Sequence, residues 1–174
     1  MKLTWFAQSC FRLHIGGLVI VTDPHAAPPD IDQRELVSGA DEIVSLVDPG
    51  LPTFDPGSWM PRKPKSFIES GNESSLVLYC FNDSGLFIDP PGDDPVILTG
   101  GDGDWDRFAD GAVVVLFGKG AALPEMLSDL VRAARPKLVA IAAGDLDETG
   151  FGALAAAAAG TNVQVLEPAL ALEA

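Results

Sequence analysis

The stretch AVVVLFGKGAALPEMLSDLVRAARPKLVAIA, residues 112–142, carries the clearest structural signal in the chain. The apolar run 112–117 is typical of a strand that is buried on both faces. Residues 123–135 predict a helix, with one proline in its first turn and another just after its end. Residues 138–142 form a second apolar run. A strand, a helix and a strand in this order predict two parallel strands joined by a crossover helix.

The same alternation continues beyond this stretch, with a helix predicted over 151–159, closed by Gly160, and a strand over 163–166. The first half of the chain predicts short strands instead, over 3–6, 11–15, 18–22, 42–47, 76–81, 86–88 and 96–98. A strand meander followed by a βαβαβ series predicts an α/β fold with two sheets packed face to face and helices outside. We expect a single domain spanning residues 1–174.

Composition excludes several classes of function. The chain has 174 residues with 25 acids against 11 bases, a net charge of −14. Such an excess repels nucleic acid and anionic lipid, and the longest apolar run is far shorter than the roughly 20 residues of a membrane span. Cys10 and Cys80 fit neither a disulfide framework nor a zinc motif, and no charged-then-apolar leader is present. We therefore expect buried thiols in a reducing, cytoplasmic environment.

The negative charge is concentrated in one region. Residues 71–118 contain nine acids and a single base, Arg107. We expect most of the carboxylates of residues 83–110 to face solvent and to repel one another rather than to form ion pairs. This surface also favours docking on a basic protein, because charge complementarity raises encounter rates.

Three segments carry a family resemblance. Residues 3–13, LTWFAQSCFRL, are similar to a hydrophobic-Gly-His-Ser-x-Phe-x-Leu opening, and residues 19–24, VIVTDP, to a strand that ends in Ile-Asp-Pro. Residues 138–145, LVAIAAGD, stand where an Ile-Pro-x-His-Tyr ending is expected. These segments resemble the metallo-β-lactamase superfamily, in particular its small hydrolases like L-ascorbate-6-phosphate lactonase. The resemblance implies a trimmed αββα sandwich.

The resemblance also implies a binuclear metal site, whose ligands come largely from a His-x-His-x-Asp-His turn. Residues 47–52 occupy that place as Val-Asp-Pro-Gly-Leu-Pro, without a histidine. The positions at which the family site is degenerate are Gln8, Asp23, His25, Val47, Pro49, Pro52, Asp102 and Asp145. The chain has only two histidines. We therefore predict no metal, no other cofactor and no catalytic residue of the family type.

The two histidines have different surroundings in the sequence. His14 alternates with the apolar residues of its predicted strand, so we expect it to face solvent. His25 follows the Asp-Pro strand end and either contacts a ligand or bonds local backbone. Asp23 is interpreted as a carboxylate that orients this turn.

An alternative hypothesis rests on Asp102, Asp104 and Asp106. Alternate aspartates can supply several oxygens to a hard cation, and a divergent metal-dependent hydrolase could use such a site. Arg107 stands where a calcium loop needs glycine, which favours a solvated acidic turn instead.

The proline-rich segment 49–65 predicts a loop. We expect its Trp59 to lie over the region of the family cleft and to fill part of it. Together with Arg62, Lys63 and Lys65, it could instead form an interface, since Trp and Arg are enriched at interface hot spots. The favoured hypothesis is thus a non-catalytic binding or assembly module, with a protein partner or self-association.

Overall fold

The computed structural model describes residues 1–46, 50–61, 76–90 and 92–174. Val47, Pro49, Arg62, Lys63 and Lys65 lie outside the described residues. None of the helices formed by the described part of the chain has the length and apolar character needed to cross a bilayer.

The described residues form eleven strands and three α-helices. The strands are β1 (Lys2–Ala7), β2 (Cys10–Ile15), β3 (Leu18–Thr22), β4 (Glu42–Val44), β5 (Val77–Phe81), β6 (Gly85–Asp89), β7 (Val96–Thr99), β8 (Val113–Phe117), β9 (Leu138–Ala142), β10 (Val163–Val165) and β11 (Ala171–Glu173). The helices are α1 (Gln33–Leu36), α2 (Leu123–Ala133) and α3 (Glu148–Ala157).

The strands form two sheets, with the orders β11-β1-β2-β3-β4 and β10-β9-β8-β7-β6-β5. In the second sheet β7, β8, β9 and β10 are parallel neighbours. This confirms the prediction that residues 112–117, 138–142 and 163–166 supply adjacent strands. The helices α2 and α3 are the crossovers that parallel strands require.

Three apolar layers hold the elements together. Leu13 and Ile20 of the first sheet pack against Leu98 and Val115 of the second in the central layer. On the outer face of the second sheet, α2 buries Leu127 and other side chains against alternate residues of the strands. On the outer face of the first sheet, Leu36 of α1 packs with Cys10 and Val21. The predicted αββα sandwich is confirmed.

Some element bounds differ from the predictions for local reasons. Helix α3 begins three residues earlier than predicted because the Asp147 carboxylate accepts the Gly150 N–H at 2.8 Å, which caps the helix. Strand β4 ends at Val44, where its carbonyl accepts the N–H of Asp23 at 3.0 Å. The sequence patterns missed α1 and β11, which have four and three residues.

Candidate functional site

The register of the first sheet aligns the carboxyl ends of two parallel strands with the end of β1. Trp5 pairs with Phe11, Phe11 pairs with Thr22, and Thr22 pairs with Val44. The loops that follow β1, β3 and β4 therefore leave the sheet at the same end.

The second sheet has an equivalent end. Thr99 pairs with Leu116 and Leu116 with Ile141, so that the carboxyl ends of β7, β8 and β9 lie side by side. Phe117 closes β8 and pairs with Ala142 of β9. In open parallel sheets, ligands bind at such carboxyl ends, because the loops that follow the strands converge there.

A cavity of about 780 Å³ opens where these two ends meet, and we call it the strand-end cavity. Aromatic and aliphatic side chains form most of its wall, and polar groups lie at its rim. The lining residues are Trp5, Phe6, Ala7, Gln8, Ser9, Pro28, Phe117, Gly118, Lys119, Ala142, Gly144, Asp145 and Pro168. The volume lies in the range of ordinary small-molecule sites.

Gln8 lies in a tightly held turn beside this cavity. Its backbone is left-handed, with φ 45°, and its carbonyl accepts the indole N–H of Trp5 at 3.1 Å. The Thr22 hydroxyl donates to the Ser9 carbonyl at 2.6 Å and accepts the N–H of Phe11 at 3.1 Å. The turn is therefore fixed by buried groups, while the Gln8 side chain is exposed.

Asp145 lies at the rim, three residues after the end of β9. One of its carboxylate oxygens accepts the N–H of Gly120 at 2.7 Å. This bond ties the loop after β9 to the loop after β8, which carries Lys119. The lysine is exposed at the rim, and its ammonium has no acceptor within the part of the chain that the structure describes.

Asp23 acts on the backbone rather than on the cavity, which it does not line. The backbone of Asp23 is left-handed, with φ 38°, and the Asp23 carboxylate lies 3.5 Å from the backbone nitrogen of Leu46. His25 follows in an exposed helical turn of three residues. The geometry agrees with the interpretation of Asp23 as a carboxylate that orients the turn.

Pro52 contributes backbone to the edge of the second sheet. Its carbonyl accepts the N–H of Cys80 at 2.8 Å, and the N–H of Phe54 donates to the Cys80 carbonyl at 2.8 Å. The neighbouring family positions Val47 and Pro49 lie outside the described residues.

The acidic turn after β7 presents its carboxylates to solvent. Asp102, Asp104 and Asp106 are all exposed, and the Asp106 carboxylate accepts the N–H of Arg107 at 2.7 Å. Trp105 between them packs against neighbouring phenylalanine rings. The turn thus alternates between an inward aromatic side chain and outward carboxylates.

The residues that the structure describes do not fit a binuclear transition-metal site. Among the described residues, no group of three or more His, Cys, Asp or Glu side chains could hold a metal ion. His14 is exposed on β2 and pairs with Val19, away from the strand-end cavity, and His25 is exposed as well. Gln8 and Asp145, which do line the cavity, offer a neutral amide and a carboxylate already bound to Gly120.

The position of Trp59 differs from the predicted one. It packs against Phe54 and Phe87 on the outer face of the second sheet, and its indole N–H donates to Asp89 at 3.3 Å. Asp89 ends β6, next to the start of β7, so this contact lies at the opposite end of the sheet from the strand-end cavity. Trp59 does not line that cavity, and the expectation that it fills the cleft is wrong.

In the acidic segment 83–110 one part of the prediction, the absence of ion pairs, is wrong. Most of its carboxylates are exposed as expected, but Asp89 is 4% exposed and bonded to Trp59. Asp94 forms an ion pair with Lys137 at 2.9 Å, which raises the pKa of the Lys137 ammonium. The pair forms because residues just before β7 and just before β9 lie at the same end of the sheet.

Sequence reasoning missed most of the cavity wall. Trp5, Phe6 and Phe117 belong to apolar runs whose pattern predicts only strands. Pro168 reaches the site because the N–H of Ala169 donates to the Trp5 carbonyl at 2.7 Å. That bond joins residues more than 160 positions apart, and no local pattern indicates it.

The fold can be compared with solved structures. The structure is similar to the isothiocyanate hydrolase from Delia radicum gut bacteria, with a TM-score of 0.58, 11% identity and coverage of 99% of both chains. No protein-family model and no curated protein matches the sequence.

Two further solved structures share the architecture. One is Igni18, a metallo hydrolase from the archaeon Ignicoccus hospitalis, with a TM-score of 0.50, 15% identity and coverage of 99% of this chain and 98% of its own. The other is a metallo-β-lactamase superfamily protein from Thermotoga maritima, with a TM-score of 0.52, 15% identity and coverage of 96% and 99%. The chain therefore has the metallo-β-lactamase fold.

Proposed function

We propose that this chain is a degenerate member of the metallo-β-lactamase superfamily, from its lactonase-like branch, that binds a ligand without hydrolysing it. In this proposal the strand-end cavity takes a small, largely apolar molecule. The protein then serves as a non-catalytic binding or assembly module.

The observation that carries the proposal is the chemistry of the strand-end cavity. The ends of both sheets supply Trp5, Phe6 and Phe117 to its wall, and no set of metal donors stands among the described residues there. Hydrolysis by a metal-bound hydroxide needs imidazole and carboxylate ligands in a fixed arrangement. A scaffold can keep its shape after its chemistry is lost, because fold and function are separable.

The alternative of a carboxylate-based hydrolase has less support. Asp102, Asp104 and Asp106 are exposed, and none of them lines the strand-end cavity. A cation held there would act outside the cavity rather than on a molecule bound in it.

We also propose that the protein binds a protein partner or associates with itself. The net charge of −14 and the exposed acidic turn favour a basic protein surface or self-association over nucleic acid or anionic membranes. We propose a cytoplasmic location from the cysteine content. Size-exclusion chromatography with light scattering tests self-association directly.

Metal analysis is the first experiment. The purified protein should contain well below one equivalent of zinc, iron or manganese, and adding these ions should not raise its melting temperature. About one equivalent or more of a transition metal, removed by a chelator together with an activity, would contradict the proposal.

Ligand binding is the second experiment, with Nile red as a neutral apolar probe. Gly144 lines the cavity, and a Cβ there meets no atom within 4 Å, so Gly144→Phe should fill the cavity and abolish probe binding. Gly152 is equally open but lies on α3 outside the cavity, so Gly152→Phe is the matched control and should bind normally. Equal binding by both variants would show that the probe binds elsewhere.

A further inference from the structure

Among the residues that the structure describes, Lys119 supplies the positive charge at the rim of the strand-end cavity. Lys119 lines the cavity, and no carboxylate lies in ion-pair distance of its ammonium within the described residues.

The carboxylate that shares the rim is already engaged. Asp145 accepts the N–H of Gly120 at 2.7 Å, which holds the loop of Lys119 against the loop after β9. Among the described residues Asp145 and Lys119 form no ion pair, so the Lys119 ammonium retains three donors for a ligand.

The loop of Lys119 leads into α2. Residues 118–122 connect β8 to α2, an α-helix of 11 residues that begins at Leu123. None of the described residues of α2 lines the strand-end cavity, so the positive charge there comes from the ammonium of Lys119. The backbone N–H of Lys119 has no acceptor among the described residues either.

We propose, building on the proposed function, that the ligand of the strand-end cavity is a small apolar carboxylate. Its apolar body packs against Trp5, Phe6 and Phe117, and its carboxylate pairs with Lys119 at the rim. The apolar wall favours a molecule with one charged group, since a more polar molecule would lose hydration without compensation. The acidic surface of the protein disfavours polyanions in the same place.

The test compares a fluorescent apolar acid, dansyl-aminoundecanoic acid, with its uncharged methyl ester. We expect the acid to bind the wild-type protein about tenfold more tightly than the ester, a preference worth about 1.4 kcal/mol. Lys119→Ala should remove this preference and leave the affinity for the ester unchanged. Lys119→Gln, which keeps a polar side chain without the charge, should behave in the same way.

The control variant is Lys2→Ala, which removes the same charge from an exposed lysine of β1 that does not line the cavity. It should keep the preference for the acid. An equal loss in Lys2→Ala and Lys119→Ala would show a general effect of charge and overturn the proposal.

The outcomes separate this inference from the proposed function. Equal binding of acid and ester, with both blocked by Gly144→Phe, would overturn the role of Lys119 and leave the cavity as an apolar site. Failure of acid, ester and Nile red to bind would overturn both. Melting temperatures of all variants, measured without ligand, verify that each one is folded.

Discussion

The rings of Phe11 and Phe117 meet edge to face between the two sheets, with centroids 5.5 Å apart and planes inclined by 60°. Phe11 is fully buried in β2, while Phe117 is 8% exposed and lines the strand-end cavity. One ring therefore belongs both to the core and to the site. Gly100 makes room for it, since a Cβ there would lie 2.6 Å from the Phe117 ring.

Removing this ring should weaken the whole sandwich. Phe117→Ala should lower the free energy of unfolding by about 3–5 kcal/mol, because it deletes a large buried side chain and leaves a void. Phe117→Leu keeps most of the volume and should cost clearly less. Urea titration measures both values, and an alanine variant as stable as the wild type would show that the ring does not support the core.

Replacing each of two glycines by alanine should change the stability of the protein in opposite directions. At Gly85 of β6, a Cβ would lie 2.5 Å from the Phe81 carbonyl oxygen and 2.7 Å from that of Leu98. Both atoms are backbone, so Gly85→Ala should destabilise the protein by at least about 2 kcal/mol. At Gly152 of α3, a Cβ meets open space. Gly152→Ala should stabilise by about 0.5–1 kcal/mol through helix propensity.

Thermal or urea unfolding of the two alanine variants tests this pair. A stable Gly85→Ala protein would contradict the close strand packing described around β6. A destabilised Gly152→Ala protein would contradict the open surface of α3.

The thiol of Cys10 should make stability depend on alkaline pH. Burial, and secondarily the charge of Asp23, raise the pKa of Cys10 from 9.0 to about 11. The unfolded chain then releases this proton at lower pH than the folded chain. The buried, protonated thiol should therefore contribute fully to the free energy of unfolding below pH 9.0. This contribution should disappear as the pH rises towards about 11.

Cys10→Ala supplies the comparison for this pH effect. The difference in unfolding free energy between wild type and variant should shrink over that pH window and stay constant below it. In a Cys80→Ser background, Cys10 should also resist thiol reagents at about pH 8 until denaturant is added. The reason is that the thiolate is the reactive form, and the buried thiol stays protonated at that pH. Rapid labelling of the native protein would contradict its burial.

The double variant Asp102→Asn, Asp104→Asn tests the acidic turn. Because both carboxylates are exposed among like charges, their removal should leave stability unchanged or raise it slightly. Calcium or magnesium at low millimolar concentration should stabilise the wild type no more than sodium chloride of equal ionic strength. Ion-specific stabilisation that the double variant lacks would revive the metal-dependent alternative.

Much of the fold follows from local patterns in the chain. The apolar runs of β8 and β9, with proline at each end of the helix between them, predict the parallel core of the second sheet. The short elements α1 and β11 were missed because three or four residues carry too little periodicity. Strand β11 exists through its pairing with β1, a contact between distant segments that a local pattern does not encode.

The candidate site was only partly predictable. The positions Gln8 and Asp145 were found because they stand where the family places ligands, and both line the strand-end cavity. No local pattern places Lys119 at the site, because the other residues that line the cavity come from β1, the loop after β9 and other distant segments. Trp59 was misplaced because aromatic packing on Phe54 and Phe87 draws it to the outer face of the second sheet.

The pairing of β1 with β11 also has a consequence for synthesis on the ribosome. Lys2 and Thr4 of β1 are translated before the other strands that the structure describes, and their partners Glu173 and Ala171 are translated after them. Until then one edge of β1 offers unpaired backbone groups, which can pair with other chains. We expect nascent chains stalled before residue 171 to bind chaperones and to aggregate more readily than chains that include β11.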